Sequence, residues 1–110
     1  MPVRAVSSRL EDDLYAQIVV SGLPVPTVQY RIAATGRKHR WDFGWDSCRV
    51  VCDVQGGGWV RGRHHRPAGY RADCEKANLA VLAGYRVYRV DDSMVKDGSA
   101  LATLERALRE

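Results

Sequence analysis

Two strand-like runs joined by a short turn, each with an aspartate inside it, constrain the fold of this chain more than any other feature. The runs are residues 40–45, RWDFGW, and residues 49–55, RVVCDVQ. Their alternating apolar residues are typical of paired, half-buried β-strands. A carboxylate on such a strand costs free energy unless another group compensates for its charge. Asp42 and Asp53 therefore need a partner, which the rest of the chain or a ligand must supply.

The direction of the side chains predicts where these two carboxylates lie. Successive side chains of a strand point to opposite faces of the sheet. One face of the first run carries Arg40, Asp42 and Gly44, and one face of the second carries Arg49, Val51, Asp53 and Gln55. Pairing of the two strands about a turn at Asp46-Ser47 then brings Asp42 and Asp53 side by side.

Two neighbouring carboxylates repel each other, and a hard divalent cation with oxygen ligands relieves that repulsion. The alternative is that each acid pairs with a nearby arginine, such as Arg40 or Arg49. The two acids occur together with Gln55, three consecutive glycines and a basic loop after them. This combination favours a metal site.

The other segments carry helix and strand signals that complete the fold prediction. The predicted elements are a helix from Ser7 or Ser8 to Gly22, strands over 28–33, 40–45 and 49–55, a loop over 56–67, a helix over 70–83, a strand over 85–90 and a helix over 99–109. Their order is α-β-β-β-α-β-α. The strand, helix, strand passage near the end predicts that the last strand runs parallel to the third. The sequence therefore predicts an α/β fold with a mixed central sheet and helices on both faces.

Apolar stripes predict which side of each helix is buried. The stripes are Leu10, Leu14 and Ile18 in the first helix, Cys74, Ala77, Val81 and Leu82 in the second, and Leu101, Leu104 and Leu108 in the last. Trp41 and Trp45 are predicted to be packing residues on the strand face opposite Asp42.

Length and composition restrict the class of protein. A chain of 110 residues with 45% apolar and 27% charged residues is typical of one soluble globular domain, here residues 1–110. A net charge of +4, from 17 Lys and Arg against 13 Asp and Glu, favours a polyanionic partner. No apolar run approaches the roughly 18 residues of a membrane span, and the N-terminus lacks the apolar core of a secretory signal. We therefore expect a soluble, cytoplasmic protein.

The cysteines and histidines raise the question of a zinc site. Three cysteines without a CxxC pair fit a reducing compartment better than a disulfide framework. On one strand, Cys48 and Cys52 would lie about 13 Å apart at ~3.3 Å per residue, too far for a shared zinc ion with Zn–S bonds of ~2.3 Å. We therefore predict that Cys48, Cys52 and Cys74 are buried structural residues rather than zinc ligands with His64 and His65.

The segments around the two acids resemble a known family. Trp41-Asp42-Phe43 followed by residues 51–57, VCDVQGG, resembles the PD-(D/E)XK nuclease superfamily, in which a strand aspartate precedes an acid-x-Lys strand. More narrowly, residues 40–90 are similar to small phage- and prophage-encoded endonucleases related to the very-short-patch repair enzymes. The likeness extends from Leu10 to Leu108 and implies a restriction-endonuclease-like core. This chain has Asp53 where the family usually has glutamate, and Gln55 where it has lysine.

The resemblance implies a metal site and a set of catalytic residues. Asp42 and Asp53 would bind Mg²⁺, for which Mn²⁺ can substitute, with the carbonyl of Val54 as a third ligand. Glu11 matches an acid that many members bring to the metal, while a helix-dipole acid is the equal alternative. Gln55 occupies the position that orients the attacking water. The cation would offset charge on the scissile phosphate and activate water, without a covalent enzyme intermediate.

The resemblance also implies contacts with nucleic acid. His64 matches a position that contacts the phosphate or donates a proton, although an exposed loop histidine without a role is the alternative. The residues expected to hold the phosphate backbone are Arg61, Arg63, His65, Arg66, Arg71 and Lys76. Lys76 could instead reach the cleavage site or pair with an acid. Trp59 either stacks on a base or caps the core.

We therefore expect a Mg²⁺-dependent DNA endonuclease that nicks DNA or selects unusual structures. One alternative is a DNA-binding or assembly protein with the same fold and no catalysis. Another is an RNA nuclease, because arginines bind the phosphates of both nucleic acids. A single metal site cuts one strand at a time, so cleavage of both strands would need a homodimer or two visits. If the chain is phage-encoded, the host cytoplasm is its expected location.

Overall fold

A mixed four-stranded sheet is the centre of this protein, whose computed structural model describes residues 9–55 and 67–109. The strands are β1 (Thr27–Tyr30), β2 (Trp41–Trp45), β3 (Val50–Gln55) and β4 (Arg86–Asp91). The helices are α1 (Arg9–Ser21), α2 (Pro67–Leu82), α3 (Asp92–Asp97) and α4 (Ser99–Arg109), and two 3₁₀ turns cover Ala33–Thr35 and Asp46–Cys48. None of the helices in these ranges is long and apolar enough to cross a bilayer.

The strands lie in the order β1-β2-β3-β4. The first three form an antiparallel meander, and β4 pairs with β3 in parallel. Parallel neighbours need a crossover connection, and α2 lies in that connection. The predicted mixed sheet, with its parallel last strand, is confirmed.

One face of the sheet is covered by α1, α3 and α4. Phe43, Trp45, Val50 and Cys52 pack there against Leu14, Ile18, Val95 and Leu104, all of them at most 3% exposed. Leu10, Leu101 and Leu108 pack around this cluster and are partly buried. The apolar stripes predicted for the first and last helices are therefore confirmed, and so is the burial of Cys52.

The other face is covered by α2, and here only Ala77 of the predicted stripe lies on the buried side. Ala80 is buried and Ala77 is partly buried against strand residues such as Trp41 and Val51. The larger residues of the predicted stripe face solvent instead, with Cys74 exposed, Val81 58% exposed and Leu82 81% exposed. Alanine lets a helix approach a sheet closely, because it has little side chain to accommodate. A search for the largest apolar residues therefore selects the wrong side of α2, and the expected burial of Cys74 was wrong for the same reason.

Several local details differ from the sequence prediction. β1 ends at Tyr30 rather than at residue 33, because Ala33–Thr35 forms a 3₁₀ turn that ends at Gly36 with φ 68°. Helix α2 begins at Pro67, a residue that suits the first turn of a helix. Helix α3 was not predicted, although the side chain of Asp91 caps it by accepting a hydrogen bond from the N–H of Met94 at 3.0 Å.

The side chains of β1 and β2 change from one face of the sheet to the other near Asp42. Val28 pairs with Phe43 and both contact the α1 side, whereas Tyr30 pairs with Trp41 and both contact the α2 side. Regular alternation would leave residues two apart on the same face. Gln29, between Val28 and Tyr30, has a left-handed φ of 52°. Trp41 and Trp45 are both buried packing residues, as expected, but they belong to different faces.

Gly44 marks a close approach within the sheet. A side-chain carbon at this position would overlap the ring and Cβ of Tyr30. The Tyr30 hydroxyl is held by the Tyr85 hydroxyl at 2.6 Å and donates to Asp46 Oδ1 at 2.9 Å. The ring is therefore anchored at its far end, so it cannot move aside freely.

Gly44→Ala is expected to lower the free energy of unfolding by about 1–3 kcal/mol, because the added methyl group meets the Tyr30 ring. Chemical denaturation measures the change. In a Tyr30→Ala background the same substitution should cost much less, since the ring is gone. An equal cost in both backgrounds would contradict this account of Gly44.

Candidate active site

Asp42 and Asp53 lie where the regular pairing of β2 and β3 ends. The last regular pair toward this end is Phe43 with Cys52, so the register places Asp42 opposite Asp53. The Asp42 N–H donates to Asp53 Oδ1 at 3.0 Å, and the Val54 N–H donates to Asp42 Oδ2 at 2.7 Å. Each carboxylate thus accepts a hydrogen bond from the backbone of the opposite strand. The structure brings together the two acids that the strand pattern singled out.

The surroundings of the Asp42 carboxyl disfavour its ionised form. Burial is the largest influence and raises the pKa of Asp42 above its ordinary value, and the negative charge of Asp53 adds to the increase. The N–H of Val54 acts in the opposite direction, because it stabilises the ionised form. Backbone N–H groups fix a carboxylate in place without removing its charge. The charge of Lys76 acts in the same direction as the Val54 N–H, and burial still outweighs both.

Glu11, in the first turn of α1, brings a third acid to this position. Its side chain forms a hydrogen bond with the Asp42 carboxyl. A hydrogen bond between two carboxyl groups requires a proton on one of them. Helix α1 is fixed over this part of the sheet by Leu14 and Ile18, which are fully buried. The structure thus places Glu11 at the pair, whereas the helix-dipole alternative required only a position in the first turn.

Lys76 supplies positive charge to the site from the opposite side. It lies one helical turn before the buried Ala80, so it is on the side of α2 that faces the sheet. Its Nζ donates to Asp53 Oδ2 at 2.6 Å and lies 4.2 Å from the centre of the Trp41 ring. The side chains of Lys76 and Asp53 are only 15% and 16% exposed. The ammonium is therefore held between a carboxylate and an aromatic face.

The alternative that the two acids pair with Arg40 or Arg49 is not what the structure shows. Arg49 follows the 3₁₀ turn at the other end of β3, where its guanidinium lies 5.8 Å from the centre of the Tyr85 ring. Arg40 is exposed and precedes β2. Lys76 is the basic residue that pairs with Asp53.

The donor atoms at this position suit a hard divalent cation. Within residues 9–55 and 67–109, no group of three or more His, Cys, Asp or Glu side chains is arranged as the ligands of one ion. Mg²⁺, however, is usually bound through one or two carboxylates, with water and substrate phosphates as its other ligands. Asp42 and Asp53 satisfy that smaller requirement, and their mutual repulsion favours a bound cation. Coordination by the carbonyl of Val54 stays a prediction.

Two further predicted site residues, Gln55 and Arg71, lie in the described part of the chain. Gln55 is exposed and lies two residues beyond Asp53 on β3, so it is on the same side of the strand. Arg71 is exposed on α2. Trp59, Arg61, Arg63, His64, His65 and Arg66 lie outside the part of the chain that the structure describes.

The role of Trp41 beside the acids was not predicted from the sequence. It was assigned to packing, and it does pack against Val51 and Ala80. Its ring also forms the surface on which the Lys76 ammonium lies. The only sequence signal was its position next to Asp42, because a strand residue beside a site is often part of it.

Asp42→Asn is expected to raise the melting temperature at pH 7 by a few degrees, because the amide keeps an oxygen for the Val54 N–H and removes the buried charge. Below a pH of about 3.9, the ordinary pKa of aspartate, Asp42 is protonated in both the folded and the unfolded protein, so its raised pKa does not lower stability there. The cost develops as pH rises through the folded-state pKa. The stabilisation should therefore be smaller at pH 4 than at pH 7 in thermal unfolding followed by circular dichroism.

Asp13→Asn is the matched control, because Asp13 is an exposed acid on α1. It should leave the melting temperature nearly unchanged at both pH values. A less stable Asp42→Asn variant, or one whose gain is the same at pH 4 and pH 7, would contradict the electrostatic account of Asp42.

Comparisons with known proteins place this geometry in a fold class. No family model and no curated protein sequence matches the chain. Among solved structures, the chain is similar to the catalytic domain of the homing endonuclease I-Bth0305I, with a TM-score of 0.67 and 15% sequence identity. The alignment covers 93% of this chain and 94% of that domain. The chain therefore has a nuclease-like fold, with a mixed sheet flanked by helices.

Proposed function

We propose that this chain is a divalent-cation-dependent DNA endonuclease that hydrolyses phosphodiester bonds. The observation that carries this function is the Asp42 and Asp53 pair, whose carboxylates each accept a hydrogen bond from the backbone of the opposite strand. The likeness to a homing endonuclease catalytic domain over almost the whole of both chains supports it. The acid pattern that resembles the PD-(D/E)XK superfamily lies at the same position.

Some residues of the site are assigned to cation binding, and others to orienting the attacking water. Asp42, Asp53 and the Val54 carbonyl would hold the cation, Mg²⁺ with Mn²⁺ as a substitute. Glu11 shares the excess negative charge through its hydrogen bond with Asp42. Gln55 orients the attacking water by hydrogen bonding. A bound divalent cation would supply Lewis-acid stabilisation of the scissile phosphate.

The basic residues give the preference for nucleic acid. The chain has a net charge of +4, and Arg61, Arg63, His65, Arg66 and Arg71 are assigned to the phosphate backbone, whose contacts position a duplex without reading its sequence. His64 contacts the scissile phosphate or donates a proton to the leaving group. One site per chain cuts one strand per visit, so nicking is the expected product unless two copies act together. A phage-encoded protein of this kind would act in the host cytoplasm.

Asp42→Asn and Asp53→Asn are expected to lower the cleavage rate by a factor on the order of 100 or more. Each substitution removes a carboxylate that holds the cation. The measurement is the conversion of supercoiled plasmid to nicked circles with Mg²⁺ or Mn²⁺. Asp13→Asn should cleave like the wild type. Absence of cleavage by the wild type on duplex, nicked, branched and single-stranded DNA would overturn the proposed function.

A DNA-binding or assembly protein without catalysis is the second candidate. Lys76 already pairs with Asp53, and Gln55 has no charge, so the same fold could bind DNA without a productive cation site. Calorimetric titration with Mn²⁺ separates the two functions. The nuclease should show one site that both Asp42→Asn and Asp53→Asn remove. A binding-only protein should show no site that depends on these residues.

A further inference from the structure

Lys76 combines features that a simple surface ion pair does not need. Its ammonium is 2.6 Å from Asp53 Oδ2 and 4.2 Å from the Trp41 ring centre, and the side chain is only 15% exposed. Taking a lysine and an aspartate out of water costs free energy that their attraction often fails to recover. An exposed pair such as Arg37 with Glu75, whose side chains are 47% and 45% exposed, involves little of that cost. The position of Lys76 therefore suggests a role other than stability.

The charge balance of the site indicates what that role is. Glu11 forms a hydrogen bond with the Asp42 carboxyl, and the Asp42 N–H donates to the Asp53 carboxyl, so three acids occupy one site. A phosphodiester is itself an anion and gains negative charge as water attacks it. Such a substrate needs positive charge in a partly dry site, where electrostatic stabilisation is strongest. Lys76 is the basic residue that the described part of the chain places in contact with these acids.

We propose that Lys76 is a catalytic residue that stabilises charge on the scissile phosphate, and that its ammonium would leave Asp53 when this carboxylate holds a divalent cation. This inference rests on the proposed nuclease function and adds to it. Before the cation binds, Asp53 and Trp41 hold the ammonium at the site. With a cation on the Asp53 carboxylate, the ammonium would be free to contact the substrate, and the Trp41 ring would keep it close to the site. No covalent bond to the enzyme forms in this step.

The position of Lys76 on α2 fits this movement. The lysine side chain has four methylene groups and rotates about each of them, so its ammonium can shift by several ångströms while the helix stays in place. Ala77 and Ala80 hold that side of α2 against the sheet. The backbone of the helix is therefore a fixed base from which the charge can move.

The decisive experiment compares cation affinity with cleavage in a Lys76→Gln variant. Loss of a competing positive charge should make Mn²⁺ bind about fivefold or more tightly in calorimetry. Loss of charge stabilisation should at the same time slow plasmid nicking by a factor on the order of 100. The affinity for Mn²⁺ should therefore rise while the rate of nicking falls. A lysine with only a structural role would weaken both functions together, and that result would overturn the inference.

A second variant tests whether the missing element is the positive charge itself. Gln55 lies on the same side of β3 as Asp53, so the ammonium introduced at this position by a Gln55→Lys, Lys76→Gln double variant can reach the same space. We expect the double variant to recover nicking to within roughly tenfold of the wild type. Lys96→Gln is the control, because Lys96 is an exposed lysine on α3, and it should match the wild type in both measurements.

The failures of the two proposals are distinguishable. A wild type that cleaves, together with a Lys76→Gln variant that cleaves equally fast, would overturn the role of Lys76 and leave the nuclease function standing. Failure of the double variant to recover activity would also overturn that role. A wild type that does not cleave would overturn the nuclease function itself, and it would be evident in the same gel.

Discussion

The two hydrogen bonds exchanged by Asp42 and Asp53 with the backbone of opposite strands are the interactions on which the site depends. They hold two negative charges close together, although each charge opposes the other. A pair of side chains alone would rotate apart to relieve that repulsion. Backbone N–H groups prevent it, because they belong to strands whose positions are fixed by the sheet. Burial, and to a lesser degree the charge of Asp53, raises the pKa of Asp42, which is typical of sites where function rather than stability selects the residue.

The sheet and the acid pair could be predicted because both depend on short-range patterns. Alternation over residues 40–55 and one intervening turn fix the neighbouring positions of Asp42 and Asp53. The order of strands and helices then fixes β4 parallel to β3. These features follow from chain direction and side-chain direction alone. They do not require knowledge of how tightly any two elements pack.

The parts that could not be predicted depend on packing between distant elements. The buried side of α2 is lined by alanines, and a search for large apolar residues passes over Ala80. That same side carries Lys76, for which the sequence left open a contact with phosphate, with the cleavage site or with an acid, and the structure pairs it with Asp53. The change of face at Asp42 lies opposite Gln29, whose left-handed conformation no alternation rule anticipates. Glu11 was identified only through resemblance, because position in a first turn is equally explained by the helix dipole.

Because the strands change face at Asp42, two separate hydrophobic layers position the residues of the site. The layer with α1 positions Glu11, and the layer with α2 positions Lys76, while the strands between them carry the two aspartates. A packing defect beneath α1 would therefore disturb proton sharing, and one beneath α2 would disturb the ammonium. Core substitutions that touch neither charged group can thus alter the acids and the lysine of this site from different sides of the sheet.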